Sequence, residues 1–382
     1  MRKEFLNFGA PLIEQPEIDE VVATLKSGWL STGPKTHRFE EDFKKYVGAQ
    51  FALAVNSCTA ALHLACLVVG VGKGDEVLLP AMTFAATANV VVHCGGKPVF
   101  VDCKKDTWNI DPQDLKKKIT KKTKAIMVVH IAGRPCEMDE IMALAKKHNL
   151  KVIEDCAHAV ETEYKGKKVG TIGDIGCYSF YPTKNVVTIE GGMLTTNNEE
   201  YAKRARMLSL HGMNKDAWKR YGSEGYKHYE FVEAGFKYNM TDVQASVGIH
   251  QLARVDKNWQ RRKAIFDRYQ KELAGLPLVL PAPVQKGDRH AYHLSQVIID
   301  GGKTKITRDQ FLEEMTKRKI GCGVQFYALH LQPYFRKQFK YKEGDLPVSE
   351  WIGANEASIP LSAKLTDEDV TDVIAAIKDV FA

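Results

Sequence analysis

The chain has 382 residues, of which 44% are hydrophobic and 26% charged, values of a globular protein that exclude a disordered or collagen-like chain. That length exceeds the usual single domain, so two domains, or one large domain with an appendage, are expected. Lys and Arg number 54 against 47 Asp and Glu; the net charge of +7 suits anionic small molecules and falls far short of the basic stripe of a nucleic-acid binder.

From about residue 50 to 200, short apolar runs alternate with helical patterns. The runs predict strands at 51–55, 76–80, 98–102, 125–131, 151–155, 176–181 and 192–196, most of them bounded by Gly, Pro, Asp or Asn. Helices are predicted between them at 59–69, 84–93, 111–119 and 138–148. Nearly unbroken apolar strands are those covered on both faces, so the expected fold class is α/β, a mainly parallel mixed sheet flanked by helices. A helix at 241–255 closes this unit and a long polar helix follows from 256 to about 273. After the composition change at "LPLVLPAP", a strand is predicted in "YHLSQVIID", a helix at 307–318, a strand in "GCGVQF" and a closing helix at 367–381. The expected division is a large domain over 1–255 and a smaller α+β domain over 256–382.

No stretch approaches the ~20 apolar residues that span a bilayer, and Met1-Arg2-Lys3-Glu4 lacks the apolar core of a signal peptide. No membrane partner and a cytoplasmic location are therefore expected. The eight cysteines form no CxxC pair, and they read as reduced core thiols. The His and Asp residues show no metal-ligand spacing, so no metal is expected.

Three segments carry chemistry. In "SFYPTKNVVTIEGGM", Lys184 sits in a turn between two apolar strands; alone it is either a solvating lysine or a reactive one. In "VIEDCAHAV", Asp155 ends a buried-looking strand, where an α/β sheet binds its ligands, or else it caps a helix starting at Cys156. In "NSCTAALHLA", Ser57-Cys58-Thr59 opens an Ala-rich helix, either as a simple cap or as an anion site of free N–H groups. Together, a strand-end acid, a lysine about 30 residues later and a helix-start anion site suit pyridoxal phosphate. That cofactor needs an amine for its aldehyde, an acid for its pyridine nitrogen and a phosphate cup.

These segments resemble the DegT/StrS family of pyridoxal-phosphate-dependent sugar aminotransferases, of the aspartate-aminotransferase fold. The resemblance also runs through "SGWLSTGPKTHRFEEDFKKYVG", "GVGKGDEVLLPAMTFAATANVV", "YKGKKVGTIGD", "GFKYNMTDVQASVGIHQL" and "LHLQPYF". It implies that Lys184 is the Schiff-base lysine, Asp155 the partner of the pyridinium nitrogen and His158 a neighbour of the ring oxygen. Thr59 and Ala60, with Ser57 nearby and Ser179 added, match the phosphate cup, and Phe84 matches the aromatic stacked on the ring. Asn239 matches a residue reaching the neighbouring subunit's phosphate, which implies a homodimer with shared active sites. The implied reaction takes an amine from L-glutamate, releases 2-oxoglutarate, and passes the amine to a keto-sugar by a ping-pong Schiff-base route, for surface glycan or lipopolysaccharide.

Trp29, Lys35, Trp218, Lys219, Arg220, Tyr327 and His330 lie in segments resembling the family's substrate loops. Gln325-Phe326 departs from the usual His-Tyr, which leaves open a sugar nucleotide or a keto derivative of a free octulosonic-type acid as acceptor. The alternatives weighed are a dehydratase, which carries His at the Lys184 position, and a non-enzymatic regulator, which would need a DNA-binding extension.

Overall fold

A computed structural model describes residues 2–214 and 230–382. Two helices precede the first predicted strand, α1 (Gln15–Ser27) and α2 (Pro34–Val47). The N-cap of α2 is Gly33, which has no side chain to offer. Asp242 supplies one instead, accepting from the N–H groups of Gly33, Lys35 and Thr36 at 2.8–3.0 Å. A carboxylate at a helix N-terminus satisfies orphan donors and complements the helix dipole.

The main unit runs β1 (Phe51–Val55), α3 (Cys58–Val68), β2 (Glu76–Pro80), α4 (Ala85–His93), β3 (Lys97–Val101), α5 (Pro112–Lys118), β4 (Thr123–Val129), α6 (Met138–His148) and β5 (Lys151–Asp155). A small hairpin of β6 (Glu163–Tyr164) and β7 (Lys167–Lys168) follows, then β8 (Ile175–Ser179), β9 (Gly192–Thr196), α7 (Glu199–Leu208), α8 (Asp242–Ala253) and α9 (Val255–Glu272). Seven strands make one sheet in the order β1-β9-β8-β5-β4-β2-β3, and only β9 runs against the others. Both faces are covered. Leu53, Val55, Leu79 and Met127 pack under α3 and α4, whereas Leu78, Ile126 and Val152 pack against the α6 side. The unbroken apolar strands follow from that double cover.

The remainder holds β10 (Leu278–Val279), β11 (Ser295–Ile299), α10 (Arg308–Lys317), α11 (Pro333–Phe339), α12 (Pro347–Asn355), β12 (Glu356–Ile359) and α13 (Asp367–Val380). Its three strands pair antiparallel in the order β10-β11-β12, around a core that includes Phe311, Ile359 and Ile374. The strand expected in "GCGVQF" does not form. Residues 321–326 make a single bridge, Gly323 to Ser358, and the partner of the Gln325 N–H is the Glu356 carboxylate at 2.7 Å. A side chain takes the place a neighbouring strand would have filled. Among the described residues no helix is long and apolar enough to cross a membrane.

Candidate active site

A cavity of about 450 Å³, in the size range of a small-molecule site, opens at the carboxyl ends of β4, β5 and β8. Val129, Asp155 and Ser179, the last residues of those strands, form its floor. The start of α3, the start of α4 and the loop after β8 form its walls. Ser57, Thr59, Phe84, Asp155, His158, Ser179 and Lys184 all line it. Residues spread over some 130 positions of sequence thus meet where a parallel sheet opens.

Asp155 is buried and accepts two hydrogen bonds, from the Ala157 N–H to Oδ1 at 3.1 Å and from Thr87 Oγ1 to Oδ2 at 3.0 Å. No helix starts at Cys156, so the helix-cap alternative falls. Burial pushes its carboxyl above the usual range, against those hydrogen bonds and the Lys184 charge. Thr83 lies 2.7 Å from Thr87, and since Thr87 donates to Asp155, Thr83 donates to Thr87. Thr87 is not among the residues that the sequence marks for this site. Its only signal is its spacing of three from Phe84 across the first turn of α4.

Lys184 is half-buried in a turn closed by its own N–H to the Tyr181 carbonyl at 2.8 Å. Burial pushes its amine down to about 8, with Cys58 and Asp155 opposing. His158 is buried and accepts the Ala132 N–H at Nδ1, 3.3 Å away. That bond leaves the proton on Nε2, and burial with the Lys184 charge keeps the ring neutral. Behind it stands His293, at 4.4 Å between ring centroids, in contact with Asn185 Oδ1 at 3.2 Å. Asn185 donates to Glu161 at 2.9 Å, and Glu161 pairs with buried Arg262 of α9. The residue after Lys184 is therefore pinned to a buried ion pair, which fixes the loop.

At the start of α3, Ser57 Oγ accepts the Ala60 N–H at 3.1 Å. The N–H groups of Cys58 and Thr59, in the first turn, have no intrahelical acceptor. Ala60 does not line the cavity. It is buried behind this turn with its N–H already taken, so Cys58 and Thr59 are the donors left for an anion. The turn also needs Gly192 of β9, since a Cβ there would meet the Ser57 carbonyl carbon at 2.5 Å and the Cys58 nitrogen at 2.6 Å. Phe84 stays 62% exposed at the cavity mouth, free to cover a flat ring.

These groups fit pyridoxal phosphate. A desolvated carboxylate with no ion-pair partner among the described residues calls for a cationic ring nitrogen. An amine near 8 holds a neutral fraction of about a tenth to a fifth at physiological pH, far above that of an ordinary lysine, and the open donors of the α3 turn suit a phosphate.

Other expected residues lie elsewhere. His330 does not line the cavity; it is fully buried in a short 3-10 turn, 3.1 Å from Glu350 and packed beside Phe100 and Tyr341. Tyr327 is exposed on a neighbouring groove, with the Arg308 guanidinium over its ring at 5.1 Å. Trp29 donates to the Thr32 carbonyl at 3.3 Å and Asn239 to Thr32 Oγ1 at 2.7 Å, and neither lines the cavity of its own chain. Lys35 pairs with Glu20. Trp218, Lys219 and Arg220 fall outside the described residues.

The sequence profile of the DegT/DnrJ/EryC1/StrS aminotransferase family matches residues 11–378. An uncharacterized protein of Methanocaldococcus jannaschii, MJ1066, is 50% identical over 380 residues, covering 100% of this chain and 98% of that one. The spore coat polysaccharide biosynthesis protein SpsC of Bacillus subtilis is 47% identical over 380 residues, covering 99% and 98%. Spr1654 of Streptococcus pneumoniae, named as a sugar aminotransferase, superposes in its pyridoxamine-phosphate form with a TM-score of 0.92 at 36% identity, covering 98% of each chain. Its pyridoxal-phosphate form gives 0.91 at 35%, covering 98% of each.

Proposed function

The chain belongs to the DegT/DnrJ/EryC1/StrS aminotransferase family, and we propose that it moves an amino group from L-glutamate to an anionic keto-sugar destined for a polysaccharide. It is a pyridoxal-phosphate-dependent sugar aminotransferase; donor, acceptor and residue roles are the proposal. The observation that carries it is the meeting of Lys184, Asp155 and His158 in one cavity beside the open N–H groups of α3. Bound pyridoxal phosphate supplies an aldehyde that takes up an amine and a ring that draws electrons from the carbon being deprotonated.

The chain's residues do the rest. Lys184 Nζ, its amine pushed down to about 8 by burial, removes the proton from the donor's α-carbon and later delivers a proton, as base and then acid. Asp155, oriented by Thr87 and the Ala157 N–H, keeps the ring nitrogen protonated. His158, with its proton on Nε2, donates to the ring oxygen, and Phe84 covers the ring face. Ser57, Thr59 and Ser179 complete the phosphate cup around the first turn of α3. The net charge of +7 and the polysaccharide role in SpsC's name support an anionic sugar acceptor.

The test separates two steps. Glutamate added to the pyridoxal-phosphate-loaded protein should release one equivalent of 2-oxoglutarate per site without acceptor. Keto-sugar nucleotides and free keto-sugar acids are then screened for uptake of the stored amine. No 2-oxoglutarate would remove glutamate; no uptake by any keto-sugar would remove the acceptor class.

The active unit is a homodimer with shared sites, by this reading. Phe84 and Tyr181, which line the cavity, leave 62% and 48% of their surface uncovered, an apolar rim that a second chain would bury. Asn239 then serves the neighbour's phosphate rather than its own. Sedimentation equilibrium should return two chains; a one-chain mass would remove the shared site.

A further inference from the structure

The strip 325–327 divides two spaces. Gln325 and Phe326 line the main cavity, while Phe326 and Tyr327 line a neighbouring groove of about 600 Å³ that also includes Phe84 and Tyr334. The Phe326 ring stands 5.9 Å from Phe84 and 6.1 Å from His158, stacked on the latter. Phe84 and Phe326 line both spaces, so a substrate larger than an amino acid that extends from the cavity into the groove runs along this strip.

The strip is not held by strand pairing. Both polar groups of the Gln325 main chain are gripped by side chains of the three-stranded sheet. Glu356 Oε2 accepts the Gln325 N–H at 2.7 Å, and Gln296 Nε2 donates to the Gln325 carbonyl. The two grips are tied together, because Gln296 Nε2 also donates to Glu356 Oε1 at 3.2 Å and Ser358 Oγ donates to the same oxygen. Glu356 and Ser358 are fully buried and Gln296 is 1% exposed, so no water competes. Arg308 extends the support, donating to the Glu356 carbonyl at 3.2 Å and to Tyr327 Oη at 3.4 Å. A buried carboxylate inside a strand carries a desolvation cost that packing alone does not require. Here it satisfies a backbone donor that no strand reaches.

We propose that Glu356 and Gln296 are positioning residues that clamp the Gln325 peptide and thereby hold Phe326 against the acceptor sugar's path. The clamp selects for the keto-sugar without touching the reacting atoms. This rests on the site reading given above for the cavity, and the donor amino acid, being smaller, is indifferent to it.

Glu356→Leu and Gln296→Leu are the variants, each removing one grip on the Gln325 peptide at similar side-chain size. In the cofactor-loaded protein, KM for the keto-sugar should rise roughly tenfold, as loss of one buried hydrogen bond predicts. The glutamate half-reaction should stay within about twofold, on the same reasoning. Independently, hydrogen exchange of the full-length apo protein should quicken at least about tenfold at residues 324–327 and stay unchanged in β5 and β8. Equal losses in both half-reactions, or exchange at 324–327 unchanged, would overturn the clamp. If wild-type protein accepts no keto-sugar, the acceptor reading falls, while the exchange arm still decides whether the clamp exists.

Discussion

Lys184→Ala is expected to abolish amino transfer, by roughly four orders of magnitude or more, since in the proposed function one amine both bonds the cofactor and shuttles its proton. Lys184→Arg should fail as completely, because a guanidinium stays charged at every working pH. Both variants should fold. The side chain makes no hydrogen bond among the described residues that the loop needs, and the turn is held by the Lys184 N–H, the Asn185 contacts and the Phe180–Gly191 pairing. The sign of the pH dependence follows from burial. With the amine pushed down to about 8, its reactive neutral fraction rises about tenfold per pH unit up to that value and levels above it. Stopped-flow capture of pyridoxal phosphate by the apo protein between pH 6 and 10 reads this directly. A profile still climbing at pH 10 means an unperturbed surface lysine, and normal turnover in the alanine variant removes the assignment altogether.

Asp155→Asn should cost roughly two to four orders of magnitude in turnover, as removal of a preorganised buried charge does. The exchange preserves shape, and an amide can still accept from Ala157 while donating to Thr87, whose hydroxyl then turns toward Thr83. The apo variant should be no less stable than wild type at neutral pH. The native carboxyl is raised by burial, so the folded state holds the proton more tightly than the unfolded chain. Stability contributed by this group is therefore lost as pH rises from the ordinary carboxyl range through the raised value. A neutral amide escapes that loss. Denaturation midpoints at pH 5 and 8, set beside turnover, test both halves. A rate within about twofold of wild type would reduce Asp155 to a turn residue closing on Ala157.

The legible part of the site lies where chemistry and local structure coincide. β1, β2, β5 and β9 begin and end where the apolar runs do, and Asp155, Ser57 and Lys184 stand at strand ends or turns whose punctuation is plain in the chain. Thr87 was not legible, because a threonine inside a helix reads as helix surface until the fold carries it over to β5. The place of His330 was hidden for the opposite reason. Its segment matches a substrate loop, yet Glu350 and an aromatic cluster close around it. "GCGVQF" has the apolar character of a strand, but its backbone partner is a carboxylate, which periodicity does not register.

The sequence by itself determined the layered α/β architecture, the cofactor class and the three residues, Lys184, Asp155 and His158, that meet in one cavity. Apolar periodicity and residue chemistry are local, and they survive without coordinates. Only the tertiary structure decided the charge states and the walls. Lys184 is depressed, Asp155 raised and His158 neutral because burial removes water from groups drawn from distant segments. Phe326 holds its place because residues 296 and 356, brought together by β11 and β12, reach one peptide. Desolvation and long-range hydrogen bonding depend on what lies within a few ångströms in space, which neighbours along the chain do not specify.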